Sequence, residues 1–154
     1  MNDIKNYKIL IVDDSPETLS LLCALLSKEQ TYSVYRADNA EKAIKIAREI
    51  IPDIIISDYY MPGTDGIEFC RQVRNDAEIS SSIFILLTAE TDISKKINGL
   101  EQGIDDYIEK SISAKVLLGK VKAFLKIKTL QNDLIKEKQK LQAANEQLER
   151  NVKQ

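Results

Sequence analysis

Residues 53–66 read Asp53-Ile54-Ile55-Ile56-Ser57-Asp58-Tyr59-Tyr60-Met61-Pro62-Gly63-Thr64-Asp65-Gly66. Three consecutive isoleucines fit a strand buried on both faces, because an unbroken β-branched run suits the interior of a covered parallel sheet. The run stops at Asp58, and Pro62, Gly63 and Gly66 then mark a turn-rich loop. Asp58 therefore stands at the carboxyl end of a central strand, the edge at which open α/β sheets bind ligands. A carboxylate there is either a loop cap or a working group, and the other strand ends decide which.

Upstream, Lys8-Ile-Leu-Ile-Val12 is a second apolar run, breaking into Asp13-Asp14-Ser15-Pro16. It predicts a buried strand, a loop, and a helix capped by Ser15 with Pro16 at its first position. That helix packs through Leu19, Leu22, Cys23 and Leu26. Residues Ser33 to Ala37 alternate weakly, as an edge strand does. Asn39 caps a second helix with Ala40, Ala43, Ile44, Ala47 and Ile51 on one face. Downstream of the loop a helix runs through Ile67, Phe69, Cys70 and Val73. Ile83-Phe-Ile-Leu-Leu87 is a fourth strand ending at Thr88-Ala89-Glu90, followed by a helix over roughly Ile93 to Gln102, closed by Gly103. Asp106-Tyr107-Ile108-Glu109 is a fifth strand ending at Lys110, and a last helix begins near Ser113. Five strand–helix alternations with short loops define an α/β fold, a doubly wound five-stranded parallel sheet. Right-handed crossovers give the strand order 2-1-3-4-5.

The composition restricts the chemistry. The chain has no histidine, which excludes Ser-His-Asp and Cys-His catalysis, histidine metal sites and a phosphohistidine carried by this chain. Cys23 and Cys70 fall within separate amphipathic helices, as buried thiols rather than a disulfide, which suits a reducing cytoplasm. No apolar run approaches the ~18–20 residues of a membrane span, and the N-terminus lacks the apolar core of a signal peptide. Residues 1–112 carry 12 Lys/Arg against 20 Asp/Glu, whereas residues 113–154 carry 10 against 4. An acidic head and a basic tail suggest two structural units.

Laid side by side, the strands deliver Asp13 and Asp14, Asp58, Thr88 and Lys110 to one edge of the sheet. Taken singly, each has a plain structural explanation. Asp13-Asp14 reads equally as a helix cap with a spare acid, Asp58 as a loop cap, Lys110 as a solvated charge, Thr88 as a strand-end hydroxyl and Tyr107 as a core aromatic. Their joint placement is what carries information. Three converging carboxylates without histidine or cysteine suit a hard cation with oxygen ligands such as Mg²⁺, which commonly sits beside phosphate. Lys110 and Thr88 supply a charge and a hydroxyl for phosphate oxygens, and a carboxylate so flanked is chemically able to accept a phosphoryl group.

These residues carry a family resemblance. Asp13-Asp14, Asp58 with Met61-Pro62 and Gly66 downstream, Leu87-Thr88-Ala89, Gly99-Leu-Glu-Gln-Gly103 before Asp105-Asp106-Tyr107, and Lys110 together resemble the receiver domain of two-component response regulators, over about residues 5–127. The resemblance implies a flavodoxin-like fold and an Asp58 that takes a phosphoryl group from the phosphohistidine of a histidine kinase or histidine phosphotransfer protein. It further implies that Asp14, Asp58 and the backbone carbonyl of Tyr60 bind Mg²⁺ directly, with Asp13 acting through water, and that Thr88 and Lys110 contact the phosphate. By the same resemblance, Thr88 and Tyr107 are the switch, acting on the face formed by the fourth predicted helix, the fifth strand and the fifth helix. Tyr60 falls near the expected path of attacking water, where it would slow hydrolysis. Two positions depart from the pattern. Ser111 follows Lys110 where the family usually has proline, and because a non-proline cis bond costs about 2.5–4 kcal/mol a trans bond and a somewhat differently set Lys110 are expected. Ile104 stands where the family often has alanine.

Past the packing face Val116, Leu117, Val121, Phe124 and Leu125, the periodicity continues. Ile127, Leu134, Leu141 and Leu148 repeat every seven residues, with Leu130, Glu137, Ala144 and Asn151 as the companion row. Residues 127–150 contain neither glycine nor proline, so a helix from 113 to 150 extends about 57 Å, with a stripe that needs a partner. Residues 128–154 are thus expected to form a helical coiled-coil extension pairing with a second copy in a parallel homodimer. The alternative is a basic, solvated, partly frayed linker. The tail resembles signalling helices that join receivers to output domains such as diguanylate cyclases or kinases, and an output domain beyond residue 154 is one expected partner. With few aromatics and no helix-turn-helix pattern, neither nucleic acid nor membrane is expected as a partner. Two other functions stay open: a degenerate receiver acting as a constitutive coiled-coil scaffold, and a Mg²⁺-dependent phosphatase or phosphotransferase, which would require a substrate pocket or cap insertion where the loops here are short.

Overall fold

The computed structural model describes residues 5–89 and 103–152. The elements are β1 (Tyr7–Val12), α1 (Pro16–Ser27), β2 (Tyr32–Ala37), α2 (Ala40–Ile50), β3 (Ile54–Asp58), α3 (Gly66–Asn75), β4 (Ile83–Thr88), β5 (Asp106–Glu109) and a C-terminal helix, α4 (Ala114–Val152). The helix expected over Ile93–Gln102, together with Glu90 and Gly99 to Gln102, lies outside the described residues. All four strand pairings are parallel and the order is β2-β1-β3-β4-β5, as the crossover rule requires.

Alternation along the strands explains why the central runs are apolar throughout. Leu10, Val12, Ile55, Phe84 and Leu86 face one side and pack on Ala43 and Ala47 of α2 and Phe69, Cys70 and Val73 of α3. Ile9, Ile11, Ile54, Ile56, Ile85 and Leu87 face the other and pack on Leu19, Leu22 and Leu26 of α1 and on Leu117, Val121 and Leu125 of α4. A strand clad on both faces cannot afford a polar side chain in its middle, so polar groups collect at its ends.

Local chemistry sets the helix starts. The side chains of Ser15, Asn39 and Asp65 accept from Thr18, Lys42 and Glu68 N–H groups, and Pro16 sits in the first turn of α1. Ser113 accepts from the Val116 N–H in the same way. Four expectations need correction. Ile51 is not on the packing face of α2: it ends the helix in the left-handed conformation (φ 51°) and is exposed. Val116 is exposed because Leu117, one residue on, takes the inward position. The edge strand starts at Tyr32 rather than Ser33. Cys23 is half-buried rather than buried, and neither cysteine forms a disulfide.

Arg74, which no sequence pattern marks, holds the far end of the sheet together. Its guanidinium donates to the carbonyls of Gly103, Ser80 and Ser82 and pairs with Asp105 at 2.9 Å. The long helix leaves the head at two tethers. The Lys128 ammonium donates to the Ser81 carbonyl at 2.5 Å. The Thr129 hydroxyl gives its proton to the Leu125 carbonyl, so the Tyr7 hydroxyl, 2.8 Å away, is the donor to Thr129. Beyond these tethers the helix runs free to Val152, and its 39 residues span about 58 Å. No helix among the described residues is long and apolar enough to cross a membrane.

Gly66 is the most closely enclosed glycine among the described residues. A Cβ there would meet the Asp58 carbonyl oxygen at 2.5 Å and also the Leu86 side chain. Since backbone cannot yield as a flexible side chain does, Gly66→Ala is expected to cost about 1–3 kcal/mol, read as a lowered midpoint in urea unfolding.

Candidate functional site

Strand register brings the site residues together. Val12 pairs with Ser57, Asp58 with Leu87, and Thr88 with Glu109. Asp13, Asp58, Thr88 and Lys110 therefore leave three adjacent strands and the turn after a fourth at one level. Backbone hydrogen bonds continue the sheet across this edge: Tyr59 N–H to the Leu87 carbonyl, Lys110 N–H to the Thr88 carbonyl, Asp13 N–H to the Ala37 carbonyl. Gly66 N–H donates to the Tyr59 carbonyl and pins the returning loop, which Met61 anchors by burying its side chain against Ser57.

Asp13, Asp58 and Thr88 are buried, whereas Asp14 is exposed. One carboxylate oxygen from each of Asp13, Asp14 and Asp58 can be chosen so that all lie within 4.8 Å of one another. Lys110 reaches in from the rim. Its ammonium is 2.8 Å from Asp58 Oδ1 and 3.9 Å from Asp13 Oδ2. The contact with Asp58 is an ion pair without the alignment of a hydrogen bond, so Asp58 Oδ1, Asp13 Oδ2 and Thr88 Oγ1 are buried polar atoms with no hydrogen-bond partner. Such groups are costly to bury and mark a place where a polar ligand completes the structure.

Burial raises the Asp13 carboxyl above its ordinary value. The Ser15 N–H bound to Asp13 Oδ1 at 2.9 Å works against this rise, while the neighbouring Asp58 charge adds to it. The donor set is three hard carboxylates with no nitrogen or sulfur, which fits a divalent cation such as Mg²⁺. No cis peptide bond occurs among the described residues, so Lys110–Ser111 is trans, and Lys110 still reaches Asp58 from it. Ile104 is buried in the core on the α2–α3 side of the sheet.

The remaining predicted residues are Tyr60 and Tyr107. Tyr60 is exposed, with its ring edge-on to that of Tyr59 at 4.7 Å. Tyr59, its neighbour in sequence, is buried against the core. Only the strand-to-loop turn decides which of two adjacent tyrosines faces inward. Tyr107 is half-buried on β5 beside that same core, and burial pushes its hydroxyl up to about 12. Asp65 caps α3, and Asp106 pairs with Lys120 at 3.2 Å; both stand apart from the acid cluster.

A doubly wound sheet with this acidic edge defines a class, and comparison with known proteins names it. The family model described as the response regulator receiver domain matches residues 9–122, and the chain belongs to that family, whose setting is two-component signalling. The chain is 40% identical over 126 residues to the transcriptional regulatory protein ResD of Bacillus subtilis, covering 82% of this chain and 51% of ResD, about half the relative's length. It is 36% identical to protein PilH of Pseudomonas aeruginosa over 77% of this chain and 97% of PilH. Among solved structures, the chemotaxis response regulator CheY4 of Vibrio cholerae superposes with a TM-score of 0.72 at 29% identity, over 78% of this chain and 99% of that one.

The raised carboxyl of Asp13 means that the folded state holds this proton more tightly than the unfolded chain. Its ionisation therefore opposes folding as pH rises above the unfolded value, and the penalty is complete once pH passes the raised folded value. Asp13→Asn, which keeps the shape and removes the charge, is expected to raise the thermal midpoint of the metal-free protein by about 2–4 °C per kcal/mol relieved and to weaken Mg²⁺ binding in calorimetry.

Proposed function

We propose that the chain is a phosphorylation-dependent switch of a two-component system, in which Asp58 accepts a phosphoryl group from a histidine kinase or histidine phosphotransfer protein. The observation that carries this reading is the set of three buried oxygens without a hydrogen bond, on Asp58, Asp13 and Thr88, with the Lys110 ammonium 2.8 Å from the first of them. An Asp58 oxygen forms the new bond to phosphorus while the phosphorus–nitrogen bond to the partner's imidazole breaks. Lys110 then exchanges its carboxylate contact for a phosphoryl oxygen, and the Thr88 hydroxyl donates to another. Mg²⁺, held by Asp14, Asp58 and the carbonyl of Tyr60 with Asp13 acting through water, would supply the charge that lets these acids stand beside phosphate. Asp14 lines an open depression with Asp38, Asn39, Glu41 and Thr64, which leaves the acceptor's surroundings accessible to a macromolecular donor.

The signal leaves through the switch residues. Thr88 moving toward the phosphoryl group opens space that Tyr107 fills, and this remodels the face running from β5 into the C-terminal helix. Phosphorylation shifts a pre-existing equilibrium only by its differential stabilisation of one state. In this reading residues 5–127 are the receiver and residues 128–154 a helical extension that pairs with a second copy or couples to an output domain beyond residue 154. The protein acts in the cytoplasm, as a phosphoacceptor rather than an enzyme with an external substrate, and engages neither membrane nor nucleic acid.

Intact mass after incubation with acetyl phosphate and Mg²⁺ tests the chemistry. One added phosphoryl group on the wild type, absent with EDTA or in Asp58→Ala, is expected; an unmodified, folded wild type contradicts the reading. Thr88→Ala should be phosphorylated yet show no phosphorylation-dependent change in self-association by light scattering.

A further inference from the structure

Beyond its tethers at Lys128 and Thr129 the C-terminal helix carries a stripe that none of the described residues covers. Leu130, Leu134, Leu141 and Leu148 are 59%, 69%, 64% and 61% exposed. The row Ile127, Leu134, Leu141, Leu148 is wholly apolar, but its companion row reads Leu130, Glu137, Ala144, Asn151. A carboxylate therefore interrupts the seam between two leucine layers. In the single chain it is solvated and, among the described residues, pairs with Lys140 of the next turn at 3.6 Å, with both side chains about three-quarters exposed.

Resting on the homodimer reading above, we propose that the second copy pairs in parallel and in register, and that Glu137 is a charged layer setting this pairing close to balance. Two observations give the orientation. In a parallel pair, residues flanking the seam meet partners five positions on, so Asp133 lies beside the partner's Lys138, twice by symmetry, with opposite charges. An antiparallel pair limited to the free residues 130–152 centres near residue 141 and brings Lys140 beside its own copy or beside Gln147, with no such match. In the parallel register each Glu137 faces its own copy across the axis. Two carboxylates drawn from water between the layers of Leu134 and Leu141 weaken the pair, and the adjacent Lys138 ammonium groups offset only part of this. A seam of leucines alone would lock the two helices together. With the Glu137 layer, the small bias supplied by the head is enough to decide the association.

Sedimentation of the full chain, as wild type, Glu137→Leu and Glu137→Gln, tests the charged layer. Glu137→Leu is expected to tighten the dimer at least tenfold, with Glu137→Gln in between. A dimer whose dissociation constant is the same in all three overturns the charged layer and leaves the homodimer reading standing; monomer in all three, at every concentration, overturns both. Ala144→Cys in a Cys23→Ala background tests the register. Disulfide-linked dimers under mild oxidation are expected, and a non-covalent dimer that fails to cross-link through position 144 overturns the parallel arrangement. Asp133→Lys should weaken association and Asp133→Lys with Lys138→Asp should restore it; no loss in the single variant contradicts the pairing.

Discussion

Like charges held together are the constraint on which this molecule turns. Asp13 and Asp58 are buried, Asp14 stands beside them, and Lys110 is the one cation among the described residues that contacts them. Burying a carboxylate costs several kcal/mol unless it is paired or hydrogen-bonded, so the cluster persists only because the rest of the fold over-determines it. The parallel register fixes the strand ends, the strands are fixed by packing on both faces, and the Ser15 N–H supplies the one backbone donor to Asp13. Carboxylates held this close favour a divalent cation, whose charge relieves their repulsion, and this is what the proposed switch requires of them.

The loop after β3 shows how closely the backbone is drawn in around the acceptor. Gly66 leaves no room for a methyl group against the Asp58 carbonyl, its N–H holds the Tyr59 carbonyl, and Met61 fills the space behind Ser57. At the opposite end of the sheet Arg74 gathers three carbonyls and a carboxylate, and the Lys128 and Thr129 tethers fix the start of the free helix. The acid cluster and the helix exit are thus at opposite ends of one sheet. In the proposed switch, a change at Thr88 reaches the tail through β5 and the helix docked on it.

The central strands and the site were legible in sequence because they obey strong local rules. Buried parallel strands read as apolar runs, and the groups that cannot be buried mid-strand appear where the runs stop: Asp13, Asp58, Thr88 and Lys110. What escaped depends on a single residue's direction at an element's end. Ile51 has the spacing of the α2 face but lies one residue past the helix, and Val116 and Leu117 are indistinguishable by composition, as are Tyr59 and Tyr60. Arg74 left no signal, since three of its partners are backbone carbonyls, which sequence does not display, and the fourth, Asp105, lies 31 residues away. The coiled-coil stripe, by contrast, was visible as a period but not as a contact, because its proposed partner is another molecule.

In the proposed switch, the acid cluster places a phosphoryl group on Asp58 and on no other side chain. Reduction of the phosphorylated protein with borohydride converts an acyl phosphate on aspartate to homoserine, and tandem mass spectrometry locates it. Homoserine at position 58 alone, formed only when Mg²⁺ is present, is the predicted result. Homoserine at Asp13 or Asp14, or at position 58 without a divalent cation, would contradict the account.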